Sequence, residues 1–198
     1  MPVMDLQSTD LLCRSHDLTA AVTPYEIEAG KNIRLTWAND METSPYQDIN
    51  PNGPCVFWIA PFDSKGVGKV WSKIHEYVND RRSTNSYWCT KSINDKGWYD
   101  FAIPSDIPTG KYILRSELID LTNAYVSNYD DFTMGPRFYP GCIVISVTKG
   151  GSGPLKNPVS ILDVYKPYNK KALFPKGMLN KDFELPGPVP YTTGKAPA

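Results

Sequence analysis

The side chain with the most informative setting for chemistry is Tyr139. It stands three residues before Cys142, and that cysteine opens a β-branched run over residues 143–147, which predicts a buried strand. A cysteine at the start of a strand can anchor that end through a disulfide, and the strand then fixes the direction of the neighbouring tyrosine. The segment therefore predicts a phenol held in one orientation beside a strand.

Other candidates for catalysis are weaker. His16 follows Cys13 in an Asp-flanked turn and His75 lies among strand residues, so we interpret each as a solvated or strand-edge histidine. Glu117 and Asp120 are an odd number of residues apart and cannot share one strand face, which argues against a pair of glycosidase carboxylates there. The sequence also has no Gly-x-Ser-x-Gly elbow, phosphate-binding loop or His-Glu-x-x-His motif, so it gives no support to a hydrolase.

Four cysteines, Cys13, Cys55, Cys89 and Cys142, lack CxxC spacing, and only two histidines accompany them, so a zinc site has little support. Two disulfides in a secreted domain suit them best, because each cysteine flanks a predicted strand; four buried thiols in a cytosolic protein are the alternative. Residues 1–7 carry no signal peptide. We therefore expect the natural protein to begin upstream of Met1.

The composition indicates one all-β domain. A chain of 198 residues buries roughly 70% of its unfolded surface in a single core. Lys plus Arg equals Asp plus Glu at 21 each, so no net field favours nucleic acid or an acidic membrane as a partner. The 18 prolines, 14 glycines, 12 tyrosines, 7 phenylalanines and 5 tryptophans favour strands and turns over helices.

Periodicity predicts an immunoglobulin or fibronectin III-like β-sandwich with long ordered loops over residues 1–198. We predict a hairpin at Ala29-Gly30-Lys31, a turn at Asp95-Lys96-Gly97, and a long loop segment, residues 149–198, packed on the sandwich. The predicted strands cover residues 20–28, 32–37, 54–62, 69–78, 98–103, 111–121 and 138–148.

Short segments match, in order, those of one family. They are Pro2 to Cys13, Ile27 to Trp37, Val70-Trp71-Ser72-Lys73-Ile74, Ile103 to Arg115, Phe138-Tyr139-Pro140-Gly141-Cys142 and Leu185-Pro186-Gly187-Pro188. In this set and its order the chain resembles the fungal lytic polysaccharide monooxygenases of auxiliary activity family nine, once classed as glycoside hydrolase family sixty-one.

The resemblance implies a secreted, monomeric copper enzyme that cleaves cellulose or a related β-linked glucan with oxygen or peroxide and an external reductant. It also implies two disulfides, Cys13–Cys142 and Cys55–Cys89.

The copper site of the family is incomplete in this sequence. Tyr139 holds the axial position, but the position of the second copper histidine is Pro51, and proline cannot ligate a metal. Ser116 stands at the position of a further histidine, and Arg137 stands at that of a glutamine. The N-terminal histidine of the family lies upstream of the Cys13 segment. A phenol without imidazoles holds copper weakly, so we expect no tightly bound copper here.

Polysaccharide binding is the more durable expectation. Tyr165, Tyr168 and Tyr191 lie among lysines near the C-terminus, and exposed tyrosines can stack on sugar rings. The resemblance implies such a cellulose-facing plane. The alternative is that these rings lie over the sandwich.

Three functions stay open from the sequence. The first is a catalytically degenerate relative of the monooxygenases that retains at most polysaccharide binding. The second is an atypical monooxygenase that becomes active once an upstream histidine is present. The third is a surface or structural β-sandwich with a protein partner.

Overall fold

The computed structural model describes residues 2–14, 23–37, 52–78, 88–124, 135–165 and 184–191. Seven strands dominate these residues, which confirms the all-β prediction. None of the helices in the described residues is long and apolar enough to cross a membrane. The elements are β1 (Tyr25–Glu28), β2 (Asn32–Thr36), β3 (Cys55–Pro61), β4 (Ser72–Tyr77), β5 (Trp98–Ala102), β6 (Gly110–Asp120), β7 (Arg137–Thr148), α1 (Asp10–Cys13), α2 (Cys89–Lys96), α3 (Ile161–Tyr165) and a 3-10 turn over Phe62–Ser64.

The strands form a five-stranded sheet with the order β1-β7-β6-β3-β4 and a two-stranded sheet of β2 and β5. The long antiparallel pair β6–β7 is the centre of the large sheet, and β1 runs parallel to the end of β7. Strands in two sheets that share one core make a β-sandwich, as the sequence predicted.

The predicted hairpin at Ala29-Gly30-Lys31 is wrong. A turn is present, with the Lys31 amide donating to the Glu28 carbonyl at 3.2 Å and Gly30 at φ 80°. However, β1 pairs with β7 and β2 pairs with β5, so the turn carries the chain from one sheet to the other. Ile27 and Ile33 on its two sides are both buried in the same core cluster, and this shared burial determines the crossing.

Both faces of the large sheet are covered, which explains the nearly continuous apolar run of β3. Residues 55–60 are all fully buried, as expected for a strand packed on two sides. One face meets the small sheet, and the other meets the N-terminal and C-terminal segments. The first cluster includes Ile33, Phe57, Phe101 and Ile145, and the second includes Leu11, Trp58, Trp71, Phe138, Ile161 and Tyr165.

Helix α2 replaces the turn predicted at Asp95-Lys96-Gly97. Gly97, at φ 81°, closes the helix by donating its amide to the Ile93 carbonyl at 2.6 Å, the usual role of glycine after a helix. Cys89 opens α2 and forms a disulfide with Cys55 at the start of β3. The second disulfide joins Cys13 to Cys142, so both predicted disulfides are confirmed.

Candidate functional site

Tyr139 lies on β7 opposite Leu118 of β6 and packs partly against the core between the two sheets. Three residues further along β7, Cys142 is joined to Cys13 with a Cα–Cα distance of 5.3 Å. Because strand pairing and disulfide act on the same short segment, the backbone that carries the phenol has little freedom. The orientation expected from the sequence therefore has a structural basis.

Three charged groups surround the phenol of Tyr139. Burial raises its pKa most, and the nearby Asp120 carboxylate raises the pKa further. Arg137, which donates a hydrogen bond to the phenol, and the nearby Arg14 lower the pKa. Asp120 in turn accepts a hydrogen bond from the Thr122 hydroxyl at 2.6 Å. The phenol thus faces two guanidinium groups and one carboxylate.

The sequence analysis did not consider Arg14, and it considered Asp120 only as a glycosidase carboxylate, although each had a local signal for its place beside Tyr139. Arg14 directly follows Cys13, so the disulfide implied by the resemblance already brings it to β7. Asp120 precedes Thr122 by two residues, and its carboxylate accepts the Thr122 amide at 3.0 Å, a turn that Asp commonly makes at the end of a strand.

Ser116 does not join this group. It lies opposite Gly141 in the β6–β7 register, and its hydroxyl donates to the Gly141 carbonyl at 3.3 Å. Ser116 is only 9% exposed. The structure therefore brings Arg137 to the phenol of Tyr139, but directs the Ser116 hydroxyl to the backbone.

The described residues do not fit a copper ion. Among them, no three His, Cys, Asp or Glu side chains come together as a metal site. Copper takes nitrogen donors such as imidazole, whereas the groups beside Tyr139 are two guanidinium cations and one carboxylate. The two remaining positions of interest, His16 and Pro51, lie outside the described residues.

His75 belongs to an aromatic cluster in the core. It lies on β4 at the edge of the large sheet, which confirms the predicted strand-edge position. Its Nε2 is 2.8 Å from the Tyr99 hydroxyl, and its ring stacks on Phe101 with centroids 5.2 Å apart. Burial lowers the pKa of His75 to about 4, so this imidazole is neutral at pH 7.

Tyr165 is not an exposed platform for sugars, and this part of the predicted plane is wrong. The side chain is fully buried and donates to Glu117 Oε2 at 2.6 Å. Glu117 Oε1 accepts from Arg115 Nη2 at 2.5 Å, and Arg115 also donates to the Leu12 carbonyl at 2.7 Å. Tyr165 instead completes a buried polar network. The buried carboxylate of Glu117 requires hydrogen-bond donors, and Tyr165 supplies one of them. Tyr168 lies outside the described residues.

Tyr191 lies at the other end of the large sheet from Tyr139. It interacts with Tyr112, and Tyr112 is six positions from Leu118, the register partner of Tyr139. At about 3.3 Å per residue this separation is roughly 20 Å along the strand. Tyr191 is half-buried, and the Lys156 ammonium lies 4.7 Å from its ring centroid. Tyr139 and Tyr191 therefore lie at opposite ends of the large sheet.

The two-sheet fold, both disulfides and the strand that carries Tyr139 and Cys142 define a β-sandwich of the lytic polysaccharide monooxygenase class. The profile of Auxiliary Activity family 9 (formerly GH61) matches residues 1–180. The chain therefore belongs to Auxiliary Activity family 9, as the resemblance implied.

Characterised relatives agree with this assignment. The AA9 family lytic polysaccharide monooxygenase A of Collariella virescens is 34% identical over 155 residues, which are 77% of this chain and 56% of that protein. The AA9 family lytic polysaccharide monooxygenase B of Emericella nidulans is 30% identical over 190 residues, which are 95% of this chain and 50% of that protein. This chain spans about half the length of the curated relatives it matches.

Solved structures give the same fold. The structure named CvAA9A has a TM-score of 0.83 at 28% identity, over 96% of this chain and 85% of that chain. Cel61B from Hypocrea jecorina, a glycoside hydrolase family 61 member, has a TM-score of 0.73 at 24% identity, over 94% of this chain and 78% of that chain. The second likeness concerns the fold alone.

Proposed function

We propose that this chain is a polysaccharide-binding relative of the copper-dependent monooxygenases and that its own Tyr139 site does not hold copper. Copper-dependent oxidative cleavage of polysaccharides is the activity of the family. The ligand proposed for this chain is cellulose or a related β-linked glucan. It follows that the chain acts on its glycan by adhesion and not by oxidation.

The observation that carries the proposal is the pair of cations beside the tyrosine. Arg137 donates a hydrogen bond to the Tyr139 phenol, and Arg14 lies near it. Two unit charges 4 Å apart in a partly shielded protein site interact by about 4 kcal/mol, and a divalent ion doubles this repulsion for each arginine. Asp120 offsets only part of it. A metal at the phenol would therefore be opposed by the residues that surround it.

The two disulfides support an extracellular location. Structural disulfides persist in oxidising compartments and are rare in the cytosol, and here both pairs are formed with no free cysteine left. Binding to a cell-wall or substrate polysaccharide suits a secreted protein. We therefore infer secretion as part of the proposed function.

The experiment takes the protein from its natural source, determines its N-terminus by terminal sequencing, and titrates it with Cu(II) while electron paramagnetic resonance is recorded. We expect no stoichiometric copper signal. Recombinant Tyr139→Phe with the same N-terminus is the matched control, because any copper signal that it shares with the parent does not come from the Tyr139 phenol. One equivalent of copper on a protein that begins at an upstream histidine would overturn the proposal in favour of an atypical monooxygenase.

Depletion of the protein from solution by microcrystalline cellulose tests the proposed polysaccharide binding. Retention on cellulose without copper binding supports the proposal. Absence of retention on cellulose would overturn it and leave the hypothesis of a surface protein with a protein partner.

A further inference from the structure

An open groove lies at the Tyr191 end of the sandwich. Its volume is about 490 Å³, which falls within the range of about 300–1,000 Å³ that is usual for ligand sites. Tyr191, Asp106 and the loop over residues 151–157 line it. The groove is therefore separate from the Tyr139 site, at the opposite end of the large sheet.

The two walls of the groove are hydrogen-bonded to neighbouring residues of β4. The Ser72 hydroxyl donates to the Lys156 carbonyl at 2.7 Å, and the Lys73 carbonyl accepts the Tyr191 amide at 2.6 Å. The other end of the loop is fixed at Gly151, whose amide donates to the Ile107 carbonyl at 2.9 Å. Because hydrogen bonds tie both walls to β4 and the other end of the loop to Ile107, the groove is present before a ligand arrives.

The side chains of the groove suit an uncharged ligand with many hydroxyl groups. Lys156 forms an ion pair with Asp106, and the two side chains are 55% and 47% exposed. Their charges cancel, while together they offer hydrogen-bond donors and acceptors. The Ser152 hydroxyl and the Asn157 amide add further polar groups, so the chemistry favours neither an anion nor a cation.

Tyr191 supplies the apolar element that a sugar ring needs. Lys156 Nζ lies over its ring at 4.7 Å from the centroid, but exposed ion pairs and lysines are weakly held. A pyranose ring can therefore replace the ammonium over the aromatic face, and Lys156 and Asp106 can then turn to the sugar hydroxyls. Lys156 and Asp106, which pair with each other in the empty groove, would then hold its ligand.

We infer that this groove, formed by Tyr191, Lys156, Asp106 and the loop over residues 151–157, is a binding site for a neutral β-linked glucan chain. The inference rests on the proposed polysaccharide binding and assigns it to the end of the sandwich opposite Tyr139. Binding there does not depend on copper or on the groups around Tyr139.

Calorimetric titration of the full chain with cellohexaose tests the site. We expect Tyr191→Ala and Asp106→Ala each to weaken binding by about tenfold, the effect of losing one aromatic or polar anchor. Gly153→Trp should also weaken binding, because Gly153 lines the groove and a bulky side chain there meets no atom within 4 Å of its Cβ that would keep it away from the ligand. Tyr25→Ala is the matched control, since Tyr25 is a 59% exposed tyrosine on β1.

The outcomes separate this inference from the proposed function. If the parent binds cellohexaose and the three groove variants bind as tightly as Tyr25→Ala, the groove is not the site, although polysaccharide binding stands. If the parent binds neither cellohexaose nor cellulose, both proposals are overturned. Thermal melts check that Tyr191→Ala is folded. If Tyr191→Ala does not fold, the Asp106→Ala and Gly153→Trp variants still test the groove, because both positions are exposed.

Discussion

Two half-buried tyrosines at opposite ends of one sheet, Tyr139 and Tyr191, present different parts of the same side chain. At Tyr139 the cation Arg137 donates to the phenol oxygen, so the polar tip is engaged. At Tyr191 the cation Lys156 lies over the ring and pairs with the exposed Asp106, so a ligand that displaces this ammonium reaches the ring face. The position of the cation decides which part of a tyrosine remains for recognition.

The strongest way to break this comparison is to remove the disulfide that holds one end. The variant Cys13→Ala/Cys142→Ala should lose roughly 5 kcal/mol of unfolding free energy, because its loop is long, with a sequence separation of 129. Urea unfolding measures the loss. Cellohexaose binding at the Tyr191 end should persist at low temperature, since that end contains neither cysteine.

The control for this variant is Cys55→Ala/Cys89→Ala. These two cysteines are separated by 34 residues. Because the loop is shorter, the expected loss of unfolding free energy is smaller, roughly 4 kcal/mol. An unchanged melting temperature of the parent in excess reductant would contradict the stabilising role of both bridges.

The next effect concerns the buried network of Arg115, Glu117 and Tyr165, which lies near the Tyr139 end of the sheet. Glu117→Ala leaves the guanidinium of Arg115 buried without its carboxylate, and such a loss costs about 3–5 kcal/mol. Urea unfolding measures it, with Asp100→Ala as the control because the Arg34–Asp100 pair is exposed and is worth about 1 kcal/mol or less. Equal losses in the two variants would show that the network does not stabilise the fold.

The smallest expected effect is electrostatic and sharpens the comparison directly. Arg137→Gln should raise the pKa of Tyr139, because the guanidinium favours the phenolate form. Lys156→Gln should likewise raise the pKa of Tyr191. Carbon NMR of labelled tyrosine rings across the pH range measures both, and Tyr139→Phe assigns the signal. A pKa that falls in either variant would mean that the cation lies elsewhere in solution.

Sequence reasoning found the strands because alternation and β-branched runs are local signals. Ile33 and Leu35 alternate on β2, and the run at residues 55–60 is apolar throughout because it is buried on both sides. The turn at Gly30 was also a local signal. The strands that pair with β1 and β2 could not be predicted locally. A turn determines where the chain changes direction, but not which strand each of its two flanking strands pairs with.

In the candidate site, too, local motifs were found and long-range contacts were missed. Tyr139 was found through a short motif, and the cysteine pairs through a family resemblance. The approach of Asp120 and Arg14 to the phenol was missed, because it depends on the β6–β7 register and on a disulfide that spans most of the chain. The sequence left open whether Tyr165 is exposed or lies over the sandwich, because the partner that holds it inside, Glu117, is 48 residues away.

The parallel pairing of β1 with the end of β7 also sets an order of events during synthesis. Tyr25 pairs with Ile145, so the first strand emerges from the ribosome 120 residues ahead of its partner. At about 5–20 residues per second the nascent chain carries β1 unpaired for on the order of 10 s. Glu26 and Glu28 place two negative charges on that short strand, and charge of this kind protects a nascent edge from pairing with a neighbouring chain on the same polysome.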